Sequence, residues 1–170
     1  MAEQGLKLNE YYLQPGFIFF SRIPTVISSV LGSCVAVSLW DRQEGYGGMV
    51  HYLYPSFNGQ EKTTARYGNA AIHCLARMFI EEGARRNNVQ AQIFGGASTA
   101  DEDCRRIAEE NIEMARTALR KLKIKIVSED VGGDMGRKIV YNTSTNETIV
   151  YKSGKLRRGD WYPYVQSDRS

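Results

Sequence analysis

Val26-Ile27-Ser28-Ser29-Val30-Leu31-Gly32-Ser33-Cys34-Val35-Ala36-Val37-Ser38-Leu39-Trp40 reads as two strands, Val26 to Val30 and Val35 to Trp40, broken at Leu31-Gly32-Ser33. The glycine allows a sharp turn between them. A third strand, Gly47 to Tyr54, follows the polar turn Asp41 to Gly45 and stops at Pro55. Upstream, Phe17-Ile18-Phe19-Phe20 is a short apolar run that also reads as a strand.

Helical periodicity appears only after these strands. From about Ala65 to Glu82, Gly68, Ala71, Ile72, Leu75, Met78 and Phe79 fall on one stripe, and Gly83 supplies a C-terminal stop. Val89 to Phe94 is a strand ending in Gly95-Gly96. A second helix is expected to open near Ser98 or Thr99, with Asp101, Glu102 and Asp103 in the first turn, where the macrodipole favours acids. Its stripe is Ile107, Asn111, Met114, Ala115, Ala118 and Leu122. Asn111 interrupts apolar positions, so its amide must find buried partners; a structural strut is the expected role. Strands return at Ile124 to Glu129, Lys138 to Asn142 and Thr148 to Tyr151, with hairpin-turn chemistry at Asn142 to Asn146. Strands, helix, strand, helix, strands is not a βαβ alternation. The expected class is α+β with mixed layers. Residues 1–16 read as a lead-in, 17–152 as one catalytic domain and 153–170 as a basic aromatic tail.

Composition narrows the function classes. Apolar residues are 42% and charged residues 24% of the 170, which is enough for one domain to bury a core without staples. The net charge is +3, and the five basic against two acidic residues from Lys152 onward account for all of it. A formally neutral body argues against nucleic-acid binding, which needs clustered basic charge. No apolar run is long enough for stable membrane insertion, and the N-terminus lacks a basic-then-apolar signal pattern. A cytoplasmic home is expected. Cys34, Cys74 and Cys104 form no C-x-x-C, and His51 and His73 no H-x-x-x-H. A structural zinc site and a disulfide framework are both disfavoured.

The chemistry-bearing pair is Cys34 at the glycine turn and His51 on the next strand, in Gly47-Gly48-Met49-Val50-His51. A free thiol titrates near ~8.5, so an imidazole must take its proton before sulfur becomes a good nucleophile. The amides of Ser33 and Cys34 are placed to meet a developing oxyanion, which is worth roughly 3–4 kcal/mol per donor. The imidazole needs a third group to fix its tautomer, and Ser28 or Ser29 on the incoming strand can supply a hydroxyl. Taken alone, such a cysteine is more often a small buried hydrophobe, and such a histidine a satisfied core group. His73 beside Cys74 is a weaker pair, because adjacent helix positions diverge. The loop Gly132-Gly133-Asp134-Met135-Gly136-Arg137-Lys138 lacks phosphate-loop spacing.

Five stretches in order shift that balance: Leu31-Gly32-Ser33-Cys34-Val35-Ala36-Val37, Gly47-Gly48-Met49-Val50-His51, Ala65-Arg66-Tyr67-Gly68, Phe94-Gly95-Gly96-Ala97 and Glu129-Asp130-Val131-Gly132-Gly133-Asp134-Met135-Gly136-Arg137-Lys138. Together they resemble the CheD family of chemoreceptor glutamine deamidases, from about Phe17 to Tyr151. The resemblance implies a catalytic Cys34 and His51, with Ser28 at the position of the hydroxyl residue that supports the histidine. Ser29 is the neighbouring alternative. It implies a fold similar to the deamidating bacterial cytotoxins, a β-sandwich-like core with flanking helices. It implies no metal or organic cofactor, substrates on the cytoplasmic parts of chemotaxis receptors, and a CheC-type phosphatase as a second partner. Tyr67-Gly68-Asn69 and Ile107-Ala108-Glu109-Glu110-Asn111 depart from the family's usual Tyr-Gly-Asp and Ile-Gly-x-x-Asn. A transglutaminase reaction of the same thioester and a purely regulatory binding module are the rival expectations.

Overall fold

The computed structural model describes residues 8–56, 64–99 and 101–154. Nine strands and two α-helices are present among them: β1 (Asn9–Tyr12), β2 (Phe17–Ser21), β3 (Thr25–Leu31), β4 (Val35–Asp41), β5 (Tyr46–Tyr52), α1 (Gly68–Glu81), β6 (Val89–Gly95), α2 (Glu102–Lys121), β7 (Lys125–Val131), β8 (Gly136–Asn142) and β9 (Glu147–Ser153). The strands form two mixed sheets, β1-β3-β8-β9 and β2-β5-β4-β6-β7. The fold is α+β, with a sheet-dominated core and flanking helices, as the strand-rich order implies.

Three layers follow from the alternation of side chains along each strand. Ile27 and Leu31 of β3 and Ile139 and Tyr141 of β8 meet Ala36, Met49 and Phe94 of the five-stranded sheet. These residues join the two sheets face to face. The opposite face of β4, β5 and β6, with Val35, Val37, Val50, Tyr52 and Ile93, packs on Ala71, Ile72, Leu75 and Phe79 of α1 and on Ile112, Ala115 and Leu119 of α2. The five-stranded sheet is therefore the middle layer, buried on both sides. β5 is buried at all seven positions for that reason.

Three local features differ from the sequence expectation. Residues 9–12 are not a bare lead-in: β1 pairs in parallel with β3, and Leu13 is fully buried. Its amide donates to the Ser28 carbonyl at 2.8 Å. The cap of α2 is Asp101, whose carboxylate accepts from the Asp103 amide at 2.9 Å, rather than Ser98 or Thr99. The first helix begins at Gly68, three residues later than its periodicity suggests, because Tyr67 is held in extended backbone by a bridge to Tyr54. The basic tail beyond residue 154 lies outside the described residues.

A buried arginine ties the layers together beside the turn after β6. Arg137 of β8 donates to the Asp130 carboxylate at 2.9 Å and to the Gly132 carbonyl at 2.8 Å. Burial alone would raise the Asp130 carboxyl, but hydrogen bonds from Lys152 and Arg137 outweigh it and hold it below the usual carboxylate range. The glycine-rich loop that sequence reasoning compared with a phosphate cradle is thus a wrap around a structural guanidinium.

Candidate active site

Period-2 alternation places the candidate residues. Ala36, Met49 and Phe94 all face the sheet-on-sheet interior, and Ala36 sits opposite His51 across the β4–β5 ladder. His51 lies two residues beyond Met49, so its ring enters the same interior layer. From the facing sheet, Ser29 shares its side of β3 with Ile27 and Leu31 and reaches the ring: Ser29 Oγ and His51 Nδ1 are 2.8 Å apart. Ser28 is on the opposite face of β3 and contributes only its backbone carbonyl, to Leu13. The hydroxyl at the histidine is therefore Ser29, not Ser28. The sequence left the two serines open, because register, which selects the face, is not visible in a pair of identical residues.

The hydrogen-bond chain fixes the tautomer. Ser29 has one hydroxyl hydrogen, and it is directed at the Leu13 carbonyl at 2.7 Å. The serine oxygen can then only accept from His51, so Nδ1 carries the hydrogen and Nε2 is bare. That Nε2 is fully buried and has no hydrogen-bond partner among the described residues. A buried acceptor left without a donor costs about 1–3 kcal/mol. Burial pushes the imidazole down to about 4, against a small opposing effect from the Leu13 backbone. His51 is a neutral base at physiological pH.

Cys34 immediately precedes β4 and is half-buried, packed against the same interior cluster. Continuing the β4–β5 register puts it diagonal to His51, on the same face and two positions along. No hydrogen bond joins the thiol and the imidazole in this structure, and apo catalytic pairs commonly tighten only when substrate arrives. Burial raises the thiol to about 11, with its own backbone amide pulling slightly the other way. Both groups are thus neutral at rest.

The turn that presents Cys34 depends on Gly95 and Gly96. Both have positive φ, +107° and +69°. A Cβ on Gly95 would lie 2.3 Å from the Cys34 carbonyl oxygen, so only glycine permits this approach. Gly96 N–H donates to Cys34 O, and Ala97 N–H to Gly32 O, both at 2.9 Å. Beside this turn is a cleft of about 260 Å³ lined by Gly32, Ser33, Ala97, Ser98, Cys104 and Asp134. A second groove, lined by His73, Ile80, Val89 and Leu122, is at the far end of β6 from the thiol. His73 Nδ1–H donates to the Asn69 carbonyl within its own helix and does not join Cys74 in a site. No cluster of three or more His, Cys, Asp or Glu side chains with metal-holding geometry occurs among the described residues. No helix among them is long and apolar enough to cross a membrane.

Leu13 was not assigned from the sequence, and Asn111 was expected there as a structural strut. Leu13 enters through its carbonyl, in a segment read as a lead-in; the run Tyr11-Tyr12-Leu13 before Pro15-Gly16 was the available signal. Asn111 is fully buried and holds the thiol loop from α2.

A two-sheet sandwich that sets a thiol and a single-tautomer imidazole on one inner face is the class that this fold and site define. Comparison with known proteins narrows it. The family model described as CheD chemotactic sensory transduction matches residues 54–152. A protein of Trichlorobacter lovleyi named "Probable chemoreceptor glutamine deamidase CheD" is 42% identical over 154 residues, covering 88% of this chain and 95% of the relative. One of Methanosarcina acetivorans, named "Probable chemoreceptor glutamine deamidase CheD 1", is 35% identical over 163 residues, covering 94% and 98%. One of Sulfurimonas denitrificans with the first of these names is 35% identical over 148 residues, covering 85% and 95%. The chain belongs to the CheD family. The family model begins at Tyr54, after both Cys34 and His51, but an alignment over 94% of the chain cannot stop short of them.

Urea denaturation across pH checks the hydrogen-bond chain. Ser29→Ala strands the His51 Nδ1–H and is expected to cost about 1–3 kcal/mol at pH 7, whereas Ser28→Ala costs less than about 0.5 kcal/mol. Because the folded imidazole titrates below its usual value of about 6.5, the unfolded state binds more protons between that value and about 4. Stability is full above about pH 6.5 and falls by on the order of 3 kcal/mol as pH drops through 4. His51→Gln removes that acid slope. Equal losses for the two serine variants, or an unchanged slope without the imidazole, would contradict the assigned geometry.

Proposed function

We propose that this protein is a protein-glutamine deamidase that acts, through a Cys34 thioester, on the cytoplasmic regions of chemotaxis receptors. The names of its relatives support the substrate class. The observation that carries the residue assignment is the bare, unpartnered Nε2 of His51, held on the same inner face as a half-buried thiol.

The glutamine side chain enters by the cleft beside Gly32 and Ser33. Sulfur attacks the carboxamide carbon as Nε2 takes the thiol proton, and a C–S bond forms. The carbonyl oxygen becomes an oxyanion facing the Cys34 amide. The imidazolium then gives its proton to the nitrogen, the C–N bond breaks and ammonia leaves. Water, deprotonated by the same Nε2, hydrolyses the thioester and leaves glutamate. The route uses no metal or organic cofactor.

The two displaced pKa values decide the timing of proton transfer. Burial raises the thiol and lowers the imidazole, so moving the proton between them at rest is uphill before the mutual attraction of the ions. A standing thiolate–imidazolium pair is too costly a resting state. Proton transfer accompanies the attack, when charge passes on to the oxyanion.

By family resemblance, a CheC-type phosphatase is a second partner and the protein works in the cytoplasm; co-elution of the two purified proteins on size exclusion tests the partnership. Mass spectrometry of a receptor cytoplasmic fragment tests the reaction. The wild type adds about 1 Da per modified glutamine, and Cys34→Ala and His51→Ala add none. Deamidation that persists in Cys34→Ala would overturn the thiol mechanism.

A further inference from the structure

The turn that carries Cys34 exposes three successive carbonyls, and all three are held. Gly32 O accepts from Ala97 N–H, and Cys34 O accepts from Gly96 N–H. The middle one, Ser33 O, accepts from the Asn111 side chain, Nδ2 to O 3.0 Å. It is the one carbonyl of the three secured by a side chain. The other hydrogen of the same Nδ2 goes to Leu53 O at 2.9 Å, two residues beyond His51. One buried amide thus spans the loop before the thiol and the strand end after the imidazole. Tyr52 Oη–H donates to the Asn111 backbone carbonyl, so α2 is pinned to β5 at this same residue.

Both Nδ2 hydrogens face carbonyls, which fixes the amide's orientation: a flip would set Oδ1 against two oxygens. The consequence is that Oδ1 is buried without a donor. Such an unpaired acceptor costs about 1–3 kcal/mol and calls for a compensating role.

The role follows from peptide planarity. The Ser33–Cys34 peptide is trans, so a carbonyl turned toward α2 sends the Cys34 N–H the opposite way. That N–H has no acceptor on another residue among the described residues. Continuing the β4–β6 register, its partner would be Gly96, but the left-handed backbone there breaks the ladder, and only the bond from Gly96 N–H to Cys34 O is made. The free Cys34 N–H lies close enough to its own sulfur to stabilise the thiolate. A donor beside the nucleophile and without a partner has oxyanion-hole geometry.

We infer that Asn111 is a positioning residue: by holding the Ser33 carbonyl it aims the Cys34 amide at the oxyanion of the reacting carbonyl. This deepens the proposed function and rests on Cys34 being the nucleophile. Two thiol reactions separate the role from general support of the fold. Acylation by p-nitrophenyl acetate passes through an oxyanion: the thiol proton goes to His51, a C–S bond forms and p-nitrophenolate leaves. Alkylation by iodoacetamide displaces iodide and forms no oxyanion. The Cys34→Ala variant gives the background from Cys74 and Cys104 for both reagents.

Asn111→Leu is expected to slow Cys34 acylation about 10- to 100-fold while alkylation stays within about twofold. Asn111→Ser, which retains one donor and fits the site, serves where the leucine variant does not fold, and should lie between it and the wild type. Tyr52→Phe loosens the same point of α2 without touching Ser33 and should leave the ratio of the two rates unchanged. Parallel loss of acylation and alkylation in both Asn111 variants, or no loss in either, would overturn the inference. If the wild type acylates at Cys34 yet never deamidates a receptor fragment, the deamidase reading falls and the Asn111 assignment is judged on the rate ratio alone. If wild-type acylation does not depend on Cys34, both fall.

Discussion

A chain of two hydrogen bonds across the sandwich, from His51 Nδ1 to Ser29 Oγ and from Ser29 to the Leu13 carbonyl, is the constraint on which the site depends. It joins a ring on the middle sheet to a hydroxyl and a carbonyl on the outer one. Sheet-on-sheet packing alone would fix their separation only to within side-chain freedom. The two bonds fix the ring's rotation and its tautomer, and so decide that the nitrogen left over is a lone pair and not an N–H. Leu13 can serve only because β1 pairs with β3 and carries the chain past Ser28 in register. The first strand, peripheral by position, thereby helps to orient the His51 ring.

Around that chain the Cys34 thiol and the His51 imidazole are held uncharged. Burial that raises the thiol also lowers the imidazole. The same desolvation acts on both in opposite directions and widens the gap between them. Cys34 therefore rests as a thiol and not as a thiolate. In the proposed reaction the driving force then comes from where negative charge goes next. Backbone geometry at Gly95 and Gly96 leaves the Cys34 amide without a ladder partner among the described residues, which is the place the proposal gives to that charge.

Much of this was legible in the chain itself. The strands flanking Gly32, the stripe ending at Gly83 and the hairpin at Asn142 to Asn146 follow from periodicity and turn chemistry, and the structure has each of them. The mixed α+β class followed from their order. Strand β1 was missed because its four residues, Asn9-Glu10-Tyr11-Tyr12, are mostly exposed and carry no alternation. The choice between Ser28 and Ser29 turned on which face of β3 meets the other sheet. That is decided by Ile27 and Leu31 falling inside, and a seven-residue strand with apolar residues on both faces does not declare it in advance. Asn111 was recognised as needing partners from its place in an apolar stripe, but what those partners were depended on tertiary packing. Short-range chemistry was readable; the pairing of distant carbonyls with side chains was not.

The central claim is that His51 is a neutral imidazole with hydrogen on Nδ1 and a bare Nε2. Nitrogen NMR of protein labelled with ¹⁵N-histidine tests it directly, since only His51 and His73 contribute. The account predicts, at pH 7, one imidazole whose Nδ1 is protonated and whose Nε2 is not, unchanged until the pH approaches about 4 and lost in His51→Gln. A His51 that carries its hydrogen on Nε2, or that titrates near an ordinary value of about 6.5, would contradict it.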